Sequence, residues 1–145
     1  MALIVEALDH LVINVTDVER SAAWYQRALG MTRDDFNPRQ GKSPRTALKF
    51  WRQKIHLRPV SASKVEWFSA EHETAGSHDL CFLTRSQPQQ VIDHLRACDI
   101  AIEIGPVEKR GALGTLDFRL LSGCGREPHR SLLIPGVMRA NVLKI

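Results

Sequence analysis

One pattern occurs twice in this chain, and its second copy is broken at the end. Leu8-Asp9-His10-Leu11-Val12-Ile13-Asn14-Val15, then Trp24-Tyr25-Gln26-Arg27-Ala28-Leu29-Gly30, reads as a strand feeding a helix. His78-Asp79-Leu80-Cys81-Phe82-Leu83, then Val91-Ile92-Asp93-His94-Leu95-Arg96-Ala97, reads the same way, with a spacing of 69 residues from His10 to Asp79. The first copy closes on Ile55-His56-Leu57, a polar residue between two apolar ones. The second should close near residue 130, where Gly125-Arg126-Glu127-Pro128-His129-Arg130-Ser131 stands instead.

Local signals fill in the units. Thr16-Asp17 is a helix N-cap signal and Gly30 a C′ glycine, so the first helix opens at Val18 and ends before Gly30. Met31–Phe36, Thr46–Trp51 and Ile55–Val60 read as strands, the last two joined by Arg52-Gln53-Lys54. Ser86 is the expected cap of a second helix over Gln87–Ala97, with Pro88 tolerated in its first turn. Ile100–Ile104 reads as a strand and Gly105–Gly114 as a glycine-punctuated loop, its glycines too scattered for a phosphate cradle. The order is βαβββ written twice. The expected organisation is a single α+β domain over 1–145: a first module at 5–60, a connector at 61–77 with a helical turn near Val65–Phe68, a second module at 78–134 altered from 118, and an extra tail at 135–145. Two such modules are expected to pair as a curved mixed sheet around one cavity.

Charge excludes one class of partner. Residues 1–117 carry 15 basic and 15 acidic side chains, so the net charge of +4 lies wholly in residues 118–145. No Lys/Arg stripe interleaves with aromatics, which argues against nucleic acid. No apolar run approaches bilayer length and the first residues lack a signal-peptide core, so the expectation is a cytoplasmic protein without membrane contact. Cys81, Cys98 and Cys124 are odd in number without CxxC spacing, which reads as buried free thiols.

Leu8-Asp9-His10-Leu11-Val12, Gly76-Ser77-His78-Asp79-Leu80-Cys81-Phe82 and Glu103-Ile104-Gly105-Pro106-Val107-Glu108-Lys109-Arg110-Gly111-Ala112 together resemble the vicinal oxygen chelate superfamily. That group includes glyoxalase I, extradiol dioxygenases and the fosfomycin and bleomycin resistance proteins. The chain looks closest to small glyoxalase-domain and biphenyl-diol dioxygenase-related members. The resemblance covers 5–117 and then stops. It implies a divalent metal (Fe, Mn, Ni or Zn) held by His10, His56 and Asp79, plus a Glu from a terminal strand reading Asn-Leu-Ile-Glu-Val. Imidazole and carboxylate suit such metals, and open positions let vicinal substrate oxygens chelate. His56 and Asp79 depart from the residues many relatives carry there.

His78 falls on the opposite strand face from Asp79, while His72 and His94 are expected in solvent. Phe50, Trp51 and Cys81 are candidate linings of a substrate cavity, with Trp67 as a further aromatic. Core packing is the commoner fate of such side chains.

The missing Glu has a specific explanation. A permitted back-translation of Asp117–Ile134, on removal of one T from the second codon, reads Asp-Ser-Val-Tyr-Phe-Arg-Asp-Ala-Asp-Gly-Asn-Leu-Ile-Glu-Val-Ser-stop. That is the family ending, so residues 118–145 read as a frameshifted C-terminus. The lost Glu falls where Arg130 stands, exchanging a metal-binding carboxylate for a cation. Ser131-Leu132-Leu133-Ile134 is a substitute closing strand, with Glu127 or His129 as substitute donors. The functional expectation is a divalent-metal-dependent small-molecule enzyme, lyase/isomerase or extradiol-dioxygenase in type and homodimeric by resemblance, whose metal site is compromised or empty in this chain. The alternatives are a metal-free drug-binding resistance protein and an inactive scaffold.

Overall fold

The computed structural model describes residues 3–39, 41–112, 114–121 and 141–144. The chain divides into two compact units, Met1–His78 and Asp79–Ile145, so the expected connector belongs to the first. Each unit runs strand, helix, three strands. The α+β class and the duplicated βαβββ order are both present.

In the first unit β1 (His10–Val15), α1 (Val18–Leu29), β2 (Thr32–Phe36), β3 (Arg45–Phe50) and β4 (Gln53–Pro59) build a sheet of order β1-β4-β3-β2. β1 runs parallel to β4 and the other neighbours are antiparallel. The helix starts where the sequence says it should. Asp17 is extended and its carboxylate accepts the Arg20 N–H at 2.9 Å, satisfying one orphan donor of the first turn. It stops at Gly30, which turns left-handed (φ 64°) and donates its N–H to the Gln26 carbonyl at 3.0 Å.

Strand alternation sorts this sheet into two faces. α1 packs on β3 and β4, where Leu48, Ile55 and Leu57 are fully buried. Burial of each such side chain contributes about 1.5–3 kcal/mol. The other face carries His10 and Asn14 from β1, Lys54, His56 and Arg58 from β4, and Arg45 from β3. An apolar face fixes the register, since a one-residue slip would bury this polar set against the helix.

The second unit repeats the elements with β5 (Cys81–Thr84), α2 (Pro88–Ala97), β6 (Ile102–Gly111), β7 (Gly114–Leu121) and β8 (Asn141–Lys144), in the order β5-β8-β7-β6. The strand order matches the first unit, but the direction of the last strand does not. β4 is parallel to the first strand of its unit and antiparallel to β3, whereas β8 is antiparallel to β5 and parallel to β7.

Several expectations need correction. The second helix is capped by Gln87 rather than Ser86: Gln87 N–H donates to the Gln90 side chain at 2.8 Å, and the reciprocal bond completes a capping box. Gly105–Gly114 is not a loop. β6 runs through it, with a register irregularity where Gly105 takes φ 121°, and Gly111 pairs with Gly114 at the hairpin tip. A glycine whose φ suits few other residues lets the strand bulge and continue instead of ending. Burial was expected of the cysteines, but Cys81 is exposed and Cys98 half-buried, while Cys124 lies outside the described residues. The Ser131–Ile134 strand, Glu127, His129 and Arg130 also lie outside them. Within the tail, read as surplus to the second module, Asn141–Lys144 forms β8. Among the described residues no helix is long and apolar enough to cross a membrane.

Candidate metal and ligand site on the first sheet

Two of the expected ligands come together. The rings of His10 and His56 lie 4.9 Å apart, centroid to centroid, on the polar face of adjacent parallel strands. His56 is 9% exposed and its Nε2 is buried with no hydrogen-bond partner. Burial lowers its pKa from 6.5 to about 4, and the neighbouring charges of Lys54, His10 and Arg45 push the same way against a small opposing effect of Asp34. Desolvation disfavours the cation, so at neutral pH the ring is uncharged and keeps a lone pair for a ligand.

His10 is held differently. Its Nδ1–H donates to Asp9 Oδ1 at 2.6 Å, and that bond holds the Asp9 carboxyl below its usual range. The contact fixes the tautomer that leaves the lone pair on Nε2, the arrangement by which outer carboxylates orient metal-binding imidazoles. Asp9 had a signal in the sequence, an acid directly before the histidine, but side-chain geometry is needed to read it.

Aromatic walls surround His56. Phe36 meets it edge-on at 5.3 Å and Trp67 at 6.2 Å. Trp67 is 8% exposed and arrives from the connector, well away in sequence from the strands. What brings it there is Arg58, which is fully buried two residues beyond His56 on the same face. Its Nε–H donates to the Trp67 carbonyl at 2.7 Å, Nη1 to Asn14 Oδ1 at 3.2 Å, and Nη2 to the Ala62 carbonyl at 2.6 Å. Nη2 also pairs with Glu73 Oε2 at 2.9 Å. A buried cation is tolerable only when paired and hydrogen-bonded throughout, and this one ties the connector to β4 in doing so. Arg58 and Glu73 carry no pattern that the sequence alone singles out.

Asp79 and Cys81 belong to the second unit, and Phe50 and Trp51 to the end of β3 and the turn after it. Phe50 ends β3 half-buried; Trp51 occupies the β3–β4 turn, 86% exposed and left-handed at φ 47°. In the second unit Asp79 is exposed two residues before β5, and His78, the last residue of the first unit, is half-buried. His72 and His94 are exposed. Among the described residues no three His, Cys, Asp or Glu side chains are grouped as a metal site. The first unit thus offers two imidazole donors that fit a divalent ion, the uncharged ring of His56 with its unpartnered Nε2 being the observation that decides the fit.

Two βαβββ units, the first bearing a histidine pair on adjacent strands, define the class as the vicinal oxygen chelate fold. The chain belongs to the Glyoxalase/Bleomycin resistance protein/Dioxygenase superfamily, whose family model matches residues 7–109. It is 35% identical over 131 residues to virulence protein STM3117 of Salmonella typhimurium, covering 90% of this chain and 83% of that one. The crystal structure of that protein superposes with a TM-score of 0.72 at 29% identity, over 98% of this chain and 96% of the other. The glyoxalase domain-containing protein RDO1 of Mycosarcoma maydis is 36% identical over 131 residues, 90% of this chain and 68% of that one. An integron cassette protein from the mobile metagenome of V. cholerae superposes with a TM-score of 0.78 at 26% identity, covering 99% and 96% of the two chains.

Proposed function

We propose that this protein descends from a divalent-metal-dependent small-molecule enzyme, of glyoxalase-type lyase/isomerase or extradiol-dioxygenase type, and that the metal site of this chain is incomplete. The observation that carries the reading is His56, buried, uncharged at neutral pH and without a partner for Nε2, beside the ring of His10. His10 and His56 are the residues to hold the ion, with Asp79 as the further donor implied by the family pattern. When bound, such an ion supplies Lewis acidity to adjacent substrate oxygens. The chain's own part is to keep His56 uncharged by burial, to aim His10 through Asp9, and to screen His56 from water with Phe36 and Trp67.

The test is calorimetric titration of the metal-stripped chain with Ni(II) or Mn(II). His56→Ala and His10→Ala are each expected to weaken binding at least tenfold, and Asp79→Asn less. Unchanged affinity in both histidine variants would contradict the reading.

The incompleteness is attributed to a shifted reading frame from residue 118. Two observations support this. Arg119 is 1% exposed within β7, where the restored frame puts valine. The last strand of the second unit also runs opposite to its counterpart in the first. Sequencing the encoding DNA tests the idea directly, because codons over 117–134 that do not regenerate the family ending on deletion of one base would remove it. We further infer a cytoplasmic homodimer. Leu3, Ile4 and Val5 are exposed just before β1, which is an edge strand, and apolar surface of that kind favours association. Light scattering should give twice the monomer mass.

A further inference from the structure

The polar face of the first sheet has a charge imbalance that metal binding leaves unexplained. Its carboxylates are committed: Asp34 to Lys49 at 2.9 Å, Glu73 to Arg58 at 2.9 Å, and Asp9 to His10 at 2.6 Å. Glu66 lies 3.6 Å from Lys42 and accepts the Ser43 N–H at 3.0 Å. Two cations remain with no carboxylate at ion-pair distance among the described residues, Arg45 and Lys54, and both act electrostatically on His56. Each is fixed by an aromatic ring. The Arg45 guanidinium stacks on Trp67 at 4.0 Å, and the Lys54 ammonium stands 5.0 Å from the centre of Phe36. Arg45 gives one bond, from Nη2 to the Glu66 carbonyl at 3.3 Å, while its Nε–H is buried without an acceptor.

These are the parts of an anion subsite. A guanidinium seated over an indole keeps its planar fork of donors at little further entropic cost, and that fork matches a carboxylate better than any neutral group. The rings of Phe36, His56 and Trp67, each presenting an edge or face to its neighbour, suit a flat apolar body between the two cations. We propose that this face binds an aromatic carboxylate, with the carboxylate on Arg45, Lys54 adding long-range attraction, and the ring against Phe36 and Trp67. The proposal rests on reading the His10–His56 face as the ligand site, and it names the substrate class of that site.

The test uses the full chain with EDTA present, so that it does not depend on metal. Benzoate and its neutral isostere benzamide are titrated separately and followed by the indole resonances of the three tryptophans. Benzoate is expected to bind at least tenfold more tightly than benzamide and to shift the Trp67 resonance. Arg45→Gln should bring the two ligands within threefold of each other, Arg45→Lys should restore part of the preference, and Lys54→Gln should reduce it less. Circular dichroism checks that each variant folds. Equal binding of the two probes, binding of neither, or a preference that survives Arg45→Gln would overturn the proposal. Because the metal titration of the histidine variants is a separate experiment, failure there leaves a positive benzoate result standing, and the reverse also holds.

Discussion

The two units solve the same closing problem in opposite ways. In the first, β4 enters between β1 and β3, parallel to one and antiparallel to the other, and delivers His56 and Arg58 to the polar face. In the second, β8 fills the equivalent slot from the far end of the chain and runs the other way. A gap between two strands leaves rows of unpaired backbone groups, and that cost draws in a segment of almost any sequence. Backbone pairing therefore sets where a strand goes, while side chains decide whether the place becomes a site. Two buried arginines make the same point. Arg58 anchors a connector through three of its partners, the Trp67 and Ala62 carbonyls and Glu73, whereas Arg119 is buried in β7 where the restored frame puts valine.

The largest effect expected from breaking this contrast is at Glu73. Glu73→Gln leaves the Arg58 cation buried without its counter-charge, and urea unfolding should show a loss of about 3–5 kcal/mol. A loss below 1 kcal/mol would mean that the connector is held by other contacts.

The pH dependence of the first unit comes next. His56 titrates near 4 when folded against 6.5 in the reference state, so between those values the unfolded chain binds a proton that the folded one refuses. Stability of the metal-free protein is then complete above pH 6.5 and falls as pH drops toward 4, by on the order of 1–3 kcal/mol. Melting temperatures across that window should show the slope, and His56→Asn should flatten it.

Arg119→Val is expected to act in the opposite sense to Glu73→Gln. Replacing a buried ionic group by an apolar residue in a strand is often stabilising, here by about 1–2 kcal/mol, and chemical denaturation reads the sign. Smallest are the caps. Asp17→Ala should cost about 1 kcal/mol, since it removes a side-chain acceptor from the first turn of α1. Gln87→Ala should cost less, because the Gln90 side chain still caps the N–H of residue 87 in α2. Thermal melts of the pair would rank them.

Much of this was legible in the sequence where a physical rule acts locally. Asp17 and Gly30 bound α1 because capping and left-handed φ are single-residue properties. The resemblance to the superfamily, not a local rule, pointed to His10 and His56 together, and the parallel pairing of β1 and β4 brings their rings onto one face. The cap shifted from Ser86 to Gln87, because a capping box competes with the simpler serine cap. The hairpin over Gly105–Gly114 was missed, because glycine marks a bulge as readily as a turn. Arg58, Glu73 and the seating of Trp67 were out of reach, since a buried ion pair between a strand and a connector leaves no periodic trace. The origin of β8 was equally hidden, because strand direction depends on where the intervening chain goes.

The most direct test of the central proposal, that His10 and His56 bind a metal ion and that the altered ending weakened that binding, is a paired titration. The present chain and a version carrying the restored ending are stripped of metal and titrated with Ni(II) at neutral pH. The restored chain is expected to bind one equivalent at least thirtyfold more tightly, with the gain abolished by His56→Ala. Equal affinity in the two chains would contradict it.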